Sequence, residues 1–276
     1  MTTRSVRDLE KISKQIRWEI IKKSHKAQTP HLGSSLSCVD LLVALYWSIL
    51  NVDPKNPLCS SRDRFILSKG HAGLALYEIL ALRGFFPPKL LDSYAQEGSS
   101  LSEHPGPNCV PGVEAATGAL GHGLSIGLGM SLAAKIREEF WKTFVLMSDG
   151  ECNEGSVWEA AMMAPIYELN NLIAVIDFNK WQATGRSVEI MALEPLRKKW
   201  DSFGWYVSEI DGHCFSDILQ ALEKSLQSSS KPTVIVAHTI KGKGVSFMED
   251  DNNWHYRIPT KEDLSLAKKE LGVARR

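Results

Sequence analysis

The chain of 276 residues is 43% hydrophobic and 23% charged, an ordinary globular balance with enough length to bury a full core. Lys+Arg and Asp+Glu each total 32, so no global field draws the chain to nucleic acid or to an anionic membrane. Five scattered cysteines without a C-x-x-C pair argue against a disulfide framework or a zinc site, and no apolar run reads as a signal peptide or bilayer span. The expected compartment is therefore the cytoplasm.

In chain order, residues 6–26 read as an amphipathic helix with Leu9, Ile12, Ile16 and Ile20 on one stripe. Ser37-Cys38-Val39-Asp40 reads as a capping box opening a helix that runs to about Leu50. Residues 51–62 form a loop, Arg64 to Ser68 a short strand, and Ala72 to Arg83 a helix. Residues 97–118, rich in Gly, Pro and Ser, read as a long structured loop, a kind that is usually functional. A helix from about Gly121 to Glu139 leads to the strand Thr143 to Met147, a helix over 156–169 and the strand Leu172 to Ile176. Then come a helix near 194–203, a strand at Trp205 to Glu209, a helix at Phe215 to Gln227, a strand at Thr233 to His238 and a terminal helix over 261–276. This alternation predicts an α/β fold, one domain over residues 1–276 with a parallel sheet flanked by helices.

Both central strands end in polar residues of interest. Thr143 to Met147 runs into Ser148-Asp149-Gly150-Glu151-Cys152-Asn153-Glu154-Gly155, and Leu172 to Ile176 runs into Asp177-Phe178-Asn179-Lys180. Asp149 and Asn179 would emerge at the carboxyl ends of adjacent strands, where open α/β sheets place ligands. Two hard oxygen donors there, beside exposed glycine N–H groups, suit a Mg²⁺ held against a diphosphate.

Four of the eight histidines lie at loop or element ends: His31 in Thr29-Pro30-His31-Leu32-Gly33-Ser34, His71 in Leu67-Ser68-Lys69-Gly70-His71-Ala72, His104 in Glu103-His104-Pro105-Gly106, and His255 in Asn253-Trp254-His255-Tyr256. Taken singly, each would be an ordinary surface or hydrogen-bonded histidine. Together with Pro111-Gly112-Val113-Glu114, Thr117-Gly118-Ala119-Leu120-Gly121 and the Asp149-Gly150…Asn179 pair, they form an ordered set over nearly all of residues 8–275. That set resembles the transketolase family, whose members carry a histidine in each of four matching stretches.

The resemblance implies the thiamine diphosphate-binding fold and a two-carbon ketol transfer from a ketose to an aldose. It implies Mg²⁺, with Ca²⁺ or Mn²⁺ able to take its place, on the side chains of Asp149 and Asn179 and the carbonyl of Trp181. It places Gly150, His71 and His255 at the cofactor diphosphate, Gly118 and Leu120 near the aminopyrimidine, and Glu154 in a network joining two cofactor sites. His31, His71, His104 and His255 would line the channel, bind donor hydroxyls and move protons, since imidazole titrates near working pH. Lys241 and Lys243, in a basic glycine loop, are candidates for phosphate contact.

Transketolases normally continue for several hundred further residues, so the chain resembles the N-terminal subunit of a split transketolase. A separate C-terminal subunit would complete each site, as an α2β2 heterotetramer acting on sugars or sugar phosphates. Departures are Ser148 for Gly before the metal aspartate, Pro30 for Gly before His31, His122 for Gln, and Tyr256 for Gly. These put the donor sugar in doubt more than the cofactor. His25, His213 and His238 match no site motif and are expected to be structural. Alternatives are a subunit of another thiamine diphosphate enzyme or a non-catalytic scaffold of the same fold. A simple Mg²⁺–nucleotide domain lacks any GxxxxGK[ST] or GxGxxG fingerprint.

Overall fold

Short, Val- and Ile-rich segments with no polar face can be satisfied only inside a sheet covered on both sides. In the computed structural model, which describes residues 4–228 and 230–273, they do so. Strands β1 (Arg64–Leu67), β2 (Thr143–Ser148) and β3 (Leu172–Phe178) pair in parallel. A two-residue hairpin, β4 (Trp181–Gln182) and β5 (Gly185–Arg186), follows outside the sheet. Strands β6 (Tyr206–Asp211) and β7 (Thr233–His238) complete a parallel sheet in the order β1-β2-β3-β7-β6. Strands β2 and β3 are buried along their whole length, whereas the edge strand β6 is mostly half-exposed.

The helices are α1 (Val6–Ala27), α2 (Leu32–Ser37), α3 (Val39–Ala44), α4 (Gly73–Arg83), α5 (Gly123–Ile136), α6 (Gly155–Ile166), α7 (Ser187–Ile190), α8 (Leu196–Ser202), α9 (Phe215–Ser225) and α10 (Lys261–Leu271). Alternation along β2 builds two cores. Phe144 and Leu146 pack with Leu9, Ile16 and Ile20 of α1 and Ile218 of α9. Val145 and Met147 pack with Leu124 of α5, Val157 of α6 and Trp200 of α8. The crossover helices thus change face between β3 and β7, which makes that junction the switch point of the sheet.

Most sequence-predicted elements appear, with ends moved by a few residues. The capping box at Ser37–Asp40 does not. Cys38 divides α2 from α3 with no side-chain cap, and α3 passes into a π turn over Leu45–Ile49. Ser37 instead donates to the carboxylate of Asp177 at 2.6 Å, and Asp40 pairs with Arg17 on α1. Long-range partners outcompete the local cap because both groups are buried and must be satisfied. The real capping box lies at Thr260 and Asp263, opening α10, which ends at Gly272 in the left-handed region. Positions 274–276 of the predicted terminal helix lie outside the described residues. Residues 97–118 contain no helix or strand, as expected of a structured loop.

Candidate functional site

The switch point carries the site. Ser148 pairs with Asp177 in the β2–β3 register, so Asp149 and Asn179 leave neighbouring strand ends together. Asp149 is wholly buried; its Oδ2 accepts from Ser187 Oγ at 2.6 Å, and its Oδ1 has no partner. Burial pushes its carboxyl up to about 7, against the pull of the Ser187 hydrogen bond. Asn179 is also buried, and its Oδ1 accepts the Trp181 N–H at 3.1 Å. An orphaned, desolvated carboxylate oxygen beside an amide oxygen is the environment a hard divalent cation would stabilise. Among the described residues no group of three His, Cys, Asp or Glu side chains could hold a metal. The donor set of Asp149 and Asn179 fits the Mg²⁺ that the resemblance implies.

The four predicted histidines converge, although they come from distant loops. His31 lies between α1 and α2, and His71 lies in a 3-10 turn after β1. His104 comes from the long loop and His255 from a 3-10 turn before α10. The His31 ring lies 5.4 Å from that of His71, 5.7 Å from His104 and 4.8 Å from His255. All four face one cleft of about 420 Å³. Gly118, Leu120, Gly150, Glu154, Asn179 and Trp181 share its lining, and Asp149 sits between the lining residues Ser148 and Gly150. At Gly150 a Cβ would meet Gln182 Cγ at 3.2 Å, so the turn lies close against the hairpin side chain.

Electrostatics revise the expectation that all four imidazoles titrate near neutrality. Burial, with the charges of His104 and Lys241, lowers His31 to about 4. Burial and Lys241 lower His255 to about 3, and burial beside Lys69 holds His71 well below its ordinary value. Three of the rings are therefore neutral at pH 7, each with one donor and one acceptor nitrogen. Glu103 stands 3.2 Å from His31 Nε2, but the desolvated ring stays uncharged.

The supporting groups escaped the sequence reading. Lys69 and Asp177 form a wholly buried ion pair; burial opposes both charges, but the partner's field and the hydrogen bonds between and around them together outweigh it. Asp177 also receives the hydroxyls of Ser37 and Thr239, so it ties α2, β3 and the segment after β7 together. Glu151 is buried too, and accepts from Ser68 Oγ, the Gly121 N–H and the Ser148 N–H. One signal was available: Lys69 is a long charged residue between the small residues Ser68 and Gly70 at a strand end. Lys241, named as a phosphate candidate, is buried, and its Nζ donates to Asn252 Oδ1 at 2.6 Å. Burial and the charge of Lys69 lower its ammonium to about 8. Lys243 instead lies 3.4 Å from Glu249. His25, His213 and His238 lie outside the cleft.

The family described as transketolase, thiamine diphosphate binding domain, matches residues 9–276. An apulose-4-phosphate transketolase subunit of Phocaeicola vulgatus is 44% identical over 266 residues, covering 96% of this chain and 94% of that protein. The 6-deoxy-6-sulfo-D-fructose transketolase subunit SqwG of a Clostridium species is 42% identical over 264 residues, covering 96% of each. Against solved structures, transketolase of Campylobacter jejuni superposes with a TM-score of 0.92 at 30% identity, covering 98% of this chain and 43% of that one. The chain thus spans about two fifths of that transketolase but nearly the whole of the two shorter proteins.

Proposed function

The chain belongs to the transketolase family and spans its thiamine diphosphate-binding domain, and from that premise we propose how its residues serve a split transketolase. It is the N-terminal subunit, working in the cytoplasm in an α2β2 assembly with a separate C-terminal subunit. The reaction moves a two-carbon ketol unit from a ketose to an aldose. The relatives' names specify sugars with a phosphate or sulfonate group, and we extend that class, an anionic ketose, to this chain.

The observation that carries the reading is Asp149 Oδ1, a buried carboxylate oxygen without a partner, on the residue between Ser148 and Gly150 of a cleft also lined by four histidines. Asp149, Asn179 and the Trp181 carbonyl would hold Mg²⁺, and the ammonium of Lys241 would face the diphosphate with Gly150, His71 and His255. Gly118 and Leu120 would flank the aminopyrimidine. Bound thiamine diphosphate would supply the means to break and remake a carbon–carbon bond beside a carbonyl. The chain's own part is to hold the sugar and handle its protons. Neutral His31 and His255, with His104 beside them, can donate to carbonyl or hydroxyl oxygens, and an unprotonated ring nitrogen can take the hydroxyl proton of the donor and return it to the acceptor.

Support for a partner comes from α6, which begins beside Glu154 and leaves Met162, Met163 and Ile166 exposed at 52%, 41% and 80%. Exposed apolar residues clustered on one helix mark contact surfaces more often than free ones. No helix among the described residues is long and apolar enough to cross a membrane.

The test is reconstitution with the C-terminal subunit, followed by an assay of ketol transfer from xylulose 5-phosphate and a panel of anionic ketoses. Transfer that depends on both chains, thiamine diphosphate and Mg²⁺ is the expected result. Pyruvate decarboxylation without ketol transfer would move the chain to another thiamine diphosphate enzyme. No cofactor binding in the complex would make it a scaffold.

A further inference from the structure

His213 belongs to none of the motifs used above, yet the loop after β7 hangs on it. It follows the end of β6, and its side chain is 11% exposed. Its Nε2 accepts the backbone N–H of Ile240 at 2.9 Å. That nitrogen is therefore unprotonated, so the ring proton sits on Nδ1 and is donated to Asp40 Oδ2 at 2.8 Å. Asp40 is held in turn by two N–H groups of Arg17, at 2.9 and 2.7 Å. Burial opposes the Asp40 charge, but Arg17 and His213 outweigh it and keep the carboxyl well below the usual carboxylate range. The acceptor on His213 is thus locked in one tautomer by a buried ion pair anchored on α1 and α3.

Ile240 immediately precedes Lys241. Backbone groups fix the next two points of the loop: the Asp250 N–H donates to the Lys241 carbonyl at 2.9 Å, and the Gly242 N–H to the Gly33 carbonyl at 3.0 Å. Gly242 has φ +78, and a Cβ there would meet the Met248 carbonyl oxygen, so the loop packs closely against Met248 at that point. The Ile240 N–H is where a side chain carries it. We infer that His213 is a positioning residue, which sets through Ile240 where the Lys241 ammonium stands at the cofactor site. The assignment rests on the proposal that Lys241 faces a diphosphate, but its structural half is independent of any cofactor.

Two conservative replacements separate the halves of the imidazole. In His213→Asn the amide can still donate to Asp40 but falls short of Ile240. In His213→Gln the longer side chain can offer an oxygen to the Ile240 N–H. A cleft of about 620 Å³ lies against His213 and Ile240, so water reaches the amide once it is released. Hydrogen exchange on the full chain should therefore be unchanged in His213→Gln and at least about tenfold faster at residues 240–242 in His213→Asn, the size of one lost hydrogen bond. In the reconstituted complex, the Kd for thiamine diphosphate with Mg²⁺ should rise about tenfold in His213→Asn and stay within about threefold in His213→Gln. Unchanged exchange in His213→Asn, or equal damage in both variants, would overturn the assignment. If the wild-type complex bound no thiamine diphosphate, the function proposed above would fall, and the exchange comparison would still decide the role of His213.

Discussion

The backbone N–H of His31 donates to the carbonyl of His255 at 2.8 Å, joining two walls of the cleft that lie at opposite ends of the chain. The bond holds His31 at φ 66, in the left-handed region, and brings the two rings to 4.8 Å. Backbone strain here is tied to the placement of a side chain that lines the candidate site.

That geometry separates stability from chemistry at position 31. His31→Asn should fold as well as the wild type, because Asn tolerates the left-handed region, whereas His31→Val should lose about 1–2 kcal/mol. Both should lower kcat by about 100-fold, the scale of one lost proton-handling group. Urea denaturation and steady-state turnover of the complex check the two halves separately.

At Asp149, the raised carboxyl near 7 means that the native apo chain binds a proton the unfolded chain has released above pH 4. Its contribution is thus fully present below about pH 4 and is lost as pH rises through about 7. The stability of wild type relative to Asp149→Asn should accordingly fall over that window by a total on the order of 4 kcal/mol. Asp149→Asn should also abolish Mg²⁺-dependent thiamine diphosphate binding. Urea midpoints at several pH values, followed by calorimetry, test both expectations.

The buried imidazoles work in the opposite sense. His31 is held near 4 and His255 near 3, so an acidifying solution protonates them first in the unfolded chain. Their contribution is intact above about pH 6.5, the ordinary histidine value, and is lost as pH falls toward those lower values. His255→Gln cannot take up the proton, so its stability should fall less steeply between about pH 6.5 and 4 than that of the wild type. An identical slope would show that His255 is charged in the native state.

Lys69 and Asp177 are both wholly buried, so each neutralises a charge that has no water to solvate it. Lys69→Met should cost about 3–5 kcal/mol by stranding Asp177. The double variant Lys69→Met, Asp177→Asn should recover part of that loss, with the coupling read from a denaturation cycle.

Much of the architecture was legible because it rests on local pattern. The TFVLM and LIAVI runs, separated by a helix-length segment, predict β2 and β3, and their polar ends predict where Asp149 and Asn179 emerge. The four histidines were recognisable through resemblance, since each sits in a motif whose wording survives. Legibility ended where a residue's partner is distant. Ser37 and Asp40 read as a cap until Asp177 and Arg17 claimed them, and His213 matched no motif because its partners lie on α3 and in the loop after β7.

The succession of the main strands and helices along the chain and the parallel sheet were determined by sequence alone, because periodicity and residue chemistry act within a few positions. Folding decided the charge states and the supports: how far burial lowers the histidines, which carboxylate keeps an unpaired oxygen, and which buried lysine neutralises Asp177. Desolvation and Coulomb energies depend on distances through space, and those exist only once the loops after β1, β2, β3 and β7 have met.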